Sequence, residues 1–377
     1  MNRRTTVTLA AVLTAVGALR PEGPAAAAQG EVSIAVAAGL NNPRGLAFGP
    51  DGALYVAEAG SGGTGPCAEG PEGRRCFGAT GSIARIDLLG GVLRRVTTGL
   101  PSAATADGSF ATGPHGISFQ GAGGGYVTVG YAGDPGNRTV DFGAAGEQFA
   151  RLLRLTPSGH WMLSEDLGGY ESTVNPTGDE VDSNPYGVVA LPARRVVADA
   201  GANALNEVAA HGAVTTLATF PNSEAAAPDF LGLPPGTLIP MDTVPTSVAQ
   251  GPDGQFYVGQ LTGFPFPVGG AKIFRVPAAG GPPEVFAEGF TAIVGLAFAP
   301  DGSLLVVELA RTGLLAAFEQ NDWAGALIRI AANGTRTEIA SGNLVAPGGI
   351  AIRTDGAIYV TNRSIFAGSG EVVRIQP

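Results

Sequence analysis

Three carboxylates, Glu58, Asp199 and Glu308, each close a short apolar run: LYVAE, RRVVAD and LLVVE. Gln260 and Asn362 end two related runs, FYVGQ and IYVTN, and Val129 ends a sixth. One acid at a strand end is ordinary. Oxygen-bearing side chains at five of six matching positions form a set. If the fold carries these ends to a common axis, carboxylate and amide oxygens converge there, and such hard ligands suit Ca²⁺ or Mg²⁺. Glu58, Asp199, Glu308 and Asn362 are therefore the metal-ligand candidates. Three carboxylates near one axis would repel unless something neutralised them. The alternative is structural, with each residue capping backbone groups of its own neighbourhood.

A second set precedes a glycine that recurs upstream of each run: Arg44, His115, Tyr186, Thr246, Val294 and Gly348. His115 is the candidate catalytic acid or base, and Arg44 and Tyr186 are candidate substrate contacts. Asn42 and Asn184 lie two residues further upstream, each followed by Pro. His160 (SGHW) and His211 (AHGA) sit in short turns and read as surface residues. No G-x-S-x-G elbow exists to make a serine nucleophile, and Ser118 has no evident partner. Phe264 and Phe266 (GFPFPVGG), with Trp323, Phe142 and Phe149 in other long connections, would suit an apolar ligand at a pocket mouth. Their structural alternative is to pin long loops to the scaffold. Phe264, Phe266 and Trp323 complete the substrate-contact candidates.

The elements that must position these residues repeat. NPRGLAFGPDGALYVAEAG (42–60) returns near 113, 184, 244, 292 and 346, making six copies. Each is followed by another alternating run, such as SIARIDL or KIFRVPA, and then by a fourth. Four strands per unit, repeated six times, predict an all-β fold, a six-bladed β-propeller spanning 31–377. Asp51-Gly52, Asp253-Gly254, Asp301-Gly302 and Asp355-Gly356 predict two-residue hairpin turns with positive φ. The last copy lacks its fourth strand, so EVSIAVAAGL (31–40) is expected to pair with the C-terminal strands and close the ring. With strands a to d counted outward, the a–b and c–d turns are short. The b–c and d–a connections on the opposite face are long (60–81, 131–147, 172–183, 222–243, 261–271 and 310–325). Long loops gathered on one face of a rigid scaffold usually carry function.

Composition agrees. The chain has 377 residues, with 59 Gly and 28 Pro against only 14% charged residues, a balance that favours many short strands joined by turns. Arg3-Arg4, an uncharged stretch to Leu19 and a run ending in four alanines at Ala28 predict a secretory signal peptide over 1–28. Its removal moves net charge from −10 to −12. An acidic chain without a basic stripe is a poor nucleic-acid binder. No later segment reads as a membrane span, so the mature protein is expected to be extracytoplasmic and monomeric. The two cysteines, Cys67 and Cys76, are expected to form a loop disulfide in an oxidising compartment.

NPRGLAFGPDGALYVAEAG, GPHGISF, NPYGVVA, VPTSVAQGPDGQFYVGQLTGFPFP and APGGIAIRTDGAIYVTN together resemble the ScyD/ScyE family over nearly the whole mature chain, TGFPFP being the most specific piece. The resemblance implies a secreted propeller of the NHL/YVTN-like kind acting on an aromatic natural product, since the namesakes belong to a pathway to an indole–phenol pigment. The chain departs from that family's pattern at Gln260 and Gly295, where acidic residues are usual. Gluconolactonase-like and strictosidine-synthase-like propellers draw metal ligands from acids or amides before the strand-a glycine, and here those positions lack them. Pro114-His115-Gly116 is similar to a streptogramin-lyase motif, but Gly113 and Val129 stand where that motif has metal-binding glutamates. Two functions follow as expectations. One is binding or modification of a small apolar molecule at the loop-rich face, with a channel cation. The other is a non-catalytic binding or scaffold module for protein or glycan.

Overall fold

The computed structural model describes residues 32–376 except 71, 122 and 123, so the leader expected over 1–28 lies outside the described residues. Six antiparallel blades are present, each with four strands a to d, and the first carries a fifth short strand, Cys67–Gly70. Strand a of successive blades is Pro43–Phe48, Pro114–Gln120, Pro185–Leu191, Pro245–Gln250, Ile293–Phe298 and Ile350–Ile352. Strand b is Leu54–Glu58, Gly124–Val129, Arg194–Asp199, Phe256–Gln260, Leu304–Glu308 and Ile358–Asn362. The sixth blade takes Gly370–Gln376 as strand c and the N-terminal Val32–Leu40 as strand d, with Val32 opposite Gln376 and Leu40 opposite Gly370. The expected closure holds, and it leaves the first and last strands hydrogen-bonded to each other instead of presenting open edges.

The apolar face of each blade is buried against its neighbour. Ala57, Ile83, Val127 and Leu153 pack between blades one and two, and Val306, Leu304, Ile273 and Phe290 between blades four and five. The core is thus a ring of wedges around the axis. The axis itself is narrow because strand a carries a glycine where it meets the next strand a. A Cβ on Gly116 would lie 2.4 Å from the Tyr186 carbonyl oxygen, and one on Gly45 2.7 Å from that of His115. Blade four has Ser247 at this position, buried, with its hydroxyl unpartnered.

The Asp-Gly turns differ from expectation. Gly49 N–H donates to Ala53, and Gly52 N–H donates back to Gly49, which makes a three-residue Pro50-Asp51-Gly52 loop. Only Gly52 has positive φ (+75°), while the Asp51 carboxylate accepts from Ala53 N–H. This is a type I turn followed by a left-handed glycine, and it recurs at 253–254, 301–302 and 355–356. Among the described residues the three α-helices, Arg138–Phe142, Leu167–Val174 and Leu314–Gln320, fall in b–c or d–a connections on the loop-rich face. Cys67 and Cys76 are disulfide-bonded across a small hairpin in the first b–c connection.

Candidate functional site

The strand-b ends are brought to one end of the ring, but they do not assemble a metal site. Glu58 Oε1 accepts from Asn41 N–H (2.8 Å), Asp199 Oδ1 from Asn184 N–H (2.6 Å), Glu308 Oε1 from Thr291 N–H (2.7 Å) and Asn362 Oδ1 from Val345 N–H (2.7 Å). Each side chain latches the d–a connection entering its own blade. Strand a stands between strand b and the axis, so the shortest reach from strand b is to that connection. Glu58 is fully committed, accepting also from Ser82 Oγ (2.6 Å) and from Arg95 Nε and Nη2 (both 2.9 Å). Asp199 accepts further from Ser183 Oγ, Gly201 N–H and Ala202 N–H. Burial raises the pKa of Asp199 and of Glu308 even though donated N–H groups act to lower it. Gln260 accepts from Lys272 N–H instead, and Val129 is buried apolar surface. Among the described residues no group of three or more His, Cys, Asp or Glu side chains is arranged to hold a metal ion. Glu58, Asp199, Glu308 and Asn362, the metal-ligand candidates, thus each have an oxygen engaged within a separate blade.

Of the residues that precede the strand-a glycines, His115, Tyr186, Thr246 and Val294 line the channel, which encloses only about 80 Å³ between the glycine-lined strands. That admits water rather than an organic substrate. Thr246 Oγ donates to the Ile293 carbonyl (2.6 Å) and so bridges blades four and five. His115 is 97% buried in residue surface and lies 4.4 Å from the Tyr186 ring at 36°. Burial, and then the nearby positive charge of Arg44, hold its pKa well below the ordinary histidine value; a hydrogen bond to the Pro185 carbonyl opposes them. The imidazole is therefore neutral, with Nδ1 unpartnered. A proton on Nε2 would leave Nδ1 with a free lone pair.

Asn184 Oδ1 is likewise without a partner. Both atoms press on Gly130, where an added Cβ would stand 2.5 Å from His115 Nδ1 and 2.3 Å from Asn184 Oδ1. Two unsatisfied acceptors thus converge on Gly130, whose missing Cβ makes room for them. Asn42, at the matching position of blade one, has no such vacancy: it donates to Gly60 and Gly108 carbonyls and accepts from Ala111 N–H. Arg44 donates to the Ala111 carbonyl (2.9 Å), and Arg75, from the disulfide hairpin, donates to Tyr131 (3.3 Å). Arg75 was not legible as a site residue, because only folding returns that hairpin to the mouth.

Beside Asp199, Glu171 on Leu167–Val174 is 1% exposed, and neither carboxylate oxygen has a partner. Burial, with the charges of Asp199 and Asp182, raises its pKa to about 7. Asp182 is raised to about 6 by burial and by Asp199, and its Oδ1 is unpartnered. Neither acid falls in the repeated pattern, so periodicity had no signal for them.

The aromatic candidates divide. Trp323 is buried beneath the loops among Phe110, Phe318 and Phe366, at centroid distances of 5.1–6.4 Å, and does not reach a mouth. Phe266 packs on the wedge of blades five and six, while half-buried Phe264 lies 6.1 Å from it and 6.2 Å from Phe230. Phe142 and Phe149 are buried with Tyr131. These rings pin connections, which their exposure pattern makes clear and their sequence positions did not.

No family model matches the chain, and no curated protein matches it. Among solved structures it is similar to a protein of unknown function from Bacteroides thetaiotaomicron, at 10% identity and TM-score 0.55, covering 92% of this chain and 72% of that one. It is similar also to regucalcin, a calcium-binding protein from Agrobacterium tumefaciens, at 15% identity and TM-score 0.50, covering 92% and 93%. A streptogramin B lyase aligns over 92% of this chain and 97% of its own at 12% identity, with TM-score 0.48. At these identities the likenesses speak to fold: the chain is a six-bladed β-propeller.

Proposed function

We propose that the chain is an exported, ScyD/ScyE-like propeller that binds a small, largely apolar molecule at the loop-rich mouth between blades one and three. The observation that carries this is the pair of unsatisfied buried acceptors, His115 Nδ1 and Asn184 Oδ1, that converge beside Gly130 at the mouth. Leaving two buried acceptors unmet costs free energy, on the order of 1–3 kcal/mol each, which a ligand hydroxyl or N–H would recover. The Tyr186 ring beside His115 suits a flat apolar body, and Arg44 flanks the imidazole. His115, neutral and with a free lone pair, is placed to take the proton of a bound hydroxyl. No step is routed through a cation, since Glu58 and Asp199 are already engaged.

Calorimetric titration of the full chain with a panel of phenols and indoles, beside His115→Gln and Asn184→Ala, tests the reading. Saturable binding by wild type, weakened at least tenfold in both variants with Tm unchanged, is expected. Equal affinity in all three proteins would overturn it, as would no binding across the panel.

A further inference from the structure

The short-turn face carries a second opening. In three blades a strand-b tyrosine packs on the last phenylalanine of strand a in the next blade. These pairs are Tyr55 with Phe119 (4.8 Å), Tyr257 with Phe298 (4.9 Å) and Tyr359 with Phe48 (5.7 Å). Two are sealed, with Tyr257 7% and Tyr359 2% exposed, whereas Tyr55 is half-buried. Beside Tyr55 lies a cavity of about 540 Å³ between blades one and two, walled by Phe119, Ile83, Val96 and Leu155.

Register places one bulge residue at the same position in each of the three wedges. In blade one Ile83 pairs Thr97 and Ala84 pairs Arg95, leaving Val96 as the extra residue of a bulge. In blade four Ile273 pairs Ala287 and Phe274 pairs Val285, leaving Phe286, whose ring stands edge-on to Tyr257 at 4.9 Å. In blade six Val372 pairs Ala37 and Val373 pairs Ala35, leaving Val36, and Tyr359 is sealed all the same, so side-chain length alone does not open the wedge of blade one. The opposite wall cannot close in compensation. Thr97 Oγ donates to the Gly159 carbonyl (2.9 Å), and a Cβ on Gly159 would lie 2.4 Å from the Val96 carbonyl oxygen, so the Pro157–Gly159 turn is clamped to strand d of blade one. At the rim the Asp51 carboxylate accepts from Arg85 (2.8 Å) and Tyr55 (3.2 Å), and Ser158 Oγ shares a hydrogen bond with Thr156.

We infer that this wedge is a second binding site, taking an uncharged aromatic compound of one or two fused rings in the place that Phe286 occupies in blade four. The volume lies in the range of small-molecule pockets, and the walls are apolar with few polar groups, as such sites require. The ring lies against Tyr55 and Phe119, where an edge-on contact is favourable, and a hydroxyl or N–H substituent turns to the Asp51 and Ser158 rim. The internal repeat supplies the template for the ligand.

Saturation-transfer NMR on the full chain with 2-naphthol and with indole tests this in the His115→Gln background, which disables the channel-mouth site, alone and combined with Val96→Leu or Val96→Phe. The His115→Gln protein is expected to bind both probes, the Val96→Phe combination at least tenfold more weakly, and the Val96→Leu combination in between. No binding by the His115→Gln protein, or affinity unchanged on adding Val96→Phe, would overturn the site. Should the Val96→Phe combination not fold, the Val96→Leu one decides: affinity equal to His115→Gln overturns the inference and reduced affinity upholds it.

Discussion

Glu58 and Glu171 are both buried glutamates near the loop-rich end, and they have opposite fates. Glu58 accepts from Asn41, Ser82 and Arg95, and every oxygen is met. Glu171 accepts from nothing, and the carboxylates of Asp199 and Asp182 push its pKa to about 7. The paired acid ties strand b to the d–a connection of its own blade and to strand d. The unpaired one sits in a region, spanning His115, Asn184, Asp182 and Glu171, where buried polar atoms lack partners, the Nε donors of Arg44 and Arg75 near His115 among them. Buried polar groups in folded proteins are nearly always satisfied, so the vacancies, not the acids, mark where a partner is wanted.

The strongest way to break this comparison is Glu58→Ala. It leaves the buried Ser82 hydroxyl and the half-buried Asn41 N–H without their acceptor and removes the ion pair to Arg95, and a loss of about 3 kcal/mol is expected, read as a lower urea midpoint. A loss under about 0.5 kcal/mol, within the range of ordinary surface substitutions, would deny Glu58 its latch role.

Glu171 predicts a pH dependence of opposite sense to that of a salt-bridged acid. Its folded pKa of about 7 exceeds the ordinary 4.5, so the folded state retains a proton that the unfolded chain releases. Asp182, raised from 3.8 to about 6, acts in the same direction. This stability is complete below about pH 4 and is lost as pH rises through 6 to 7. Denaturation at pH 5 and pH 8 should therefore differ by about 2 kcal/mol in favour of pH 5. Glu171→Gln should remove most of that difference and stabilise the protein at pH 8. A wild-type profile that rises from pH 5 to pH 8, with Glu171→Gln parallel to it, would contradict the assignment.

The smallest effect separates the two asparagines. Asn42→Ala strands Gly60, Gly108 and Ala111 backbone groups and should cost about 1–3 kcal/mol. Asn184→Ala removes an oxygen that had no partner and should cost under about 0.5 kcal/mol, measurable as a nearly unchanged thermal midpoint. Equal losses would erase the contrast between blades one and three.

Much of the architecture was legible because it is local and repeated. Apolar alternation, Pro-Asp-Gly turns and the recurring strand-b ending each depend on a few neighbouring residues, and six copies make the pattern unmistakable. The orphan strand before the first blade and the missing strand after the last specified the closure. The candidate site was half legible. His115 was found by its position before a glycine, and its partner Asn184 was seen but not distinguished from Asn42. Which of two matching asparagines is satisfied depends on loops from elsewhere in the chain, such as Gly108 and Ala111.

The amino-acid order by itself determined six blades, their closing strand, the crowded face and the disulfide pair, since period and turn chemistry act over short stretches. Only the tertiary structure decided that Glu58, Asp199, Glu308 and Asn362 serve separate blades instead of one ion. A side chain at the end of strand b is screened from the axis by strand a, and the N–H groups it meets first belong to its own connection. The same holds for the open wedge at Val96. Its wall is set by Thr97 and the Gly159 turn, which lie far apart in the sequence and meet only in the fold.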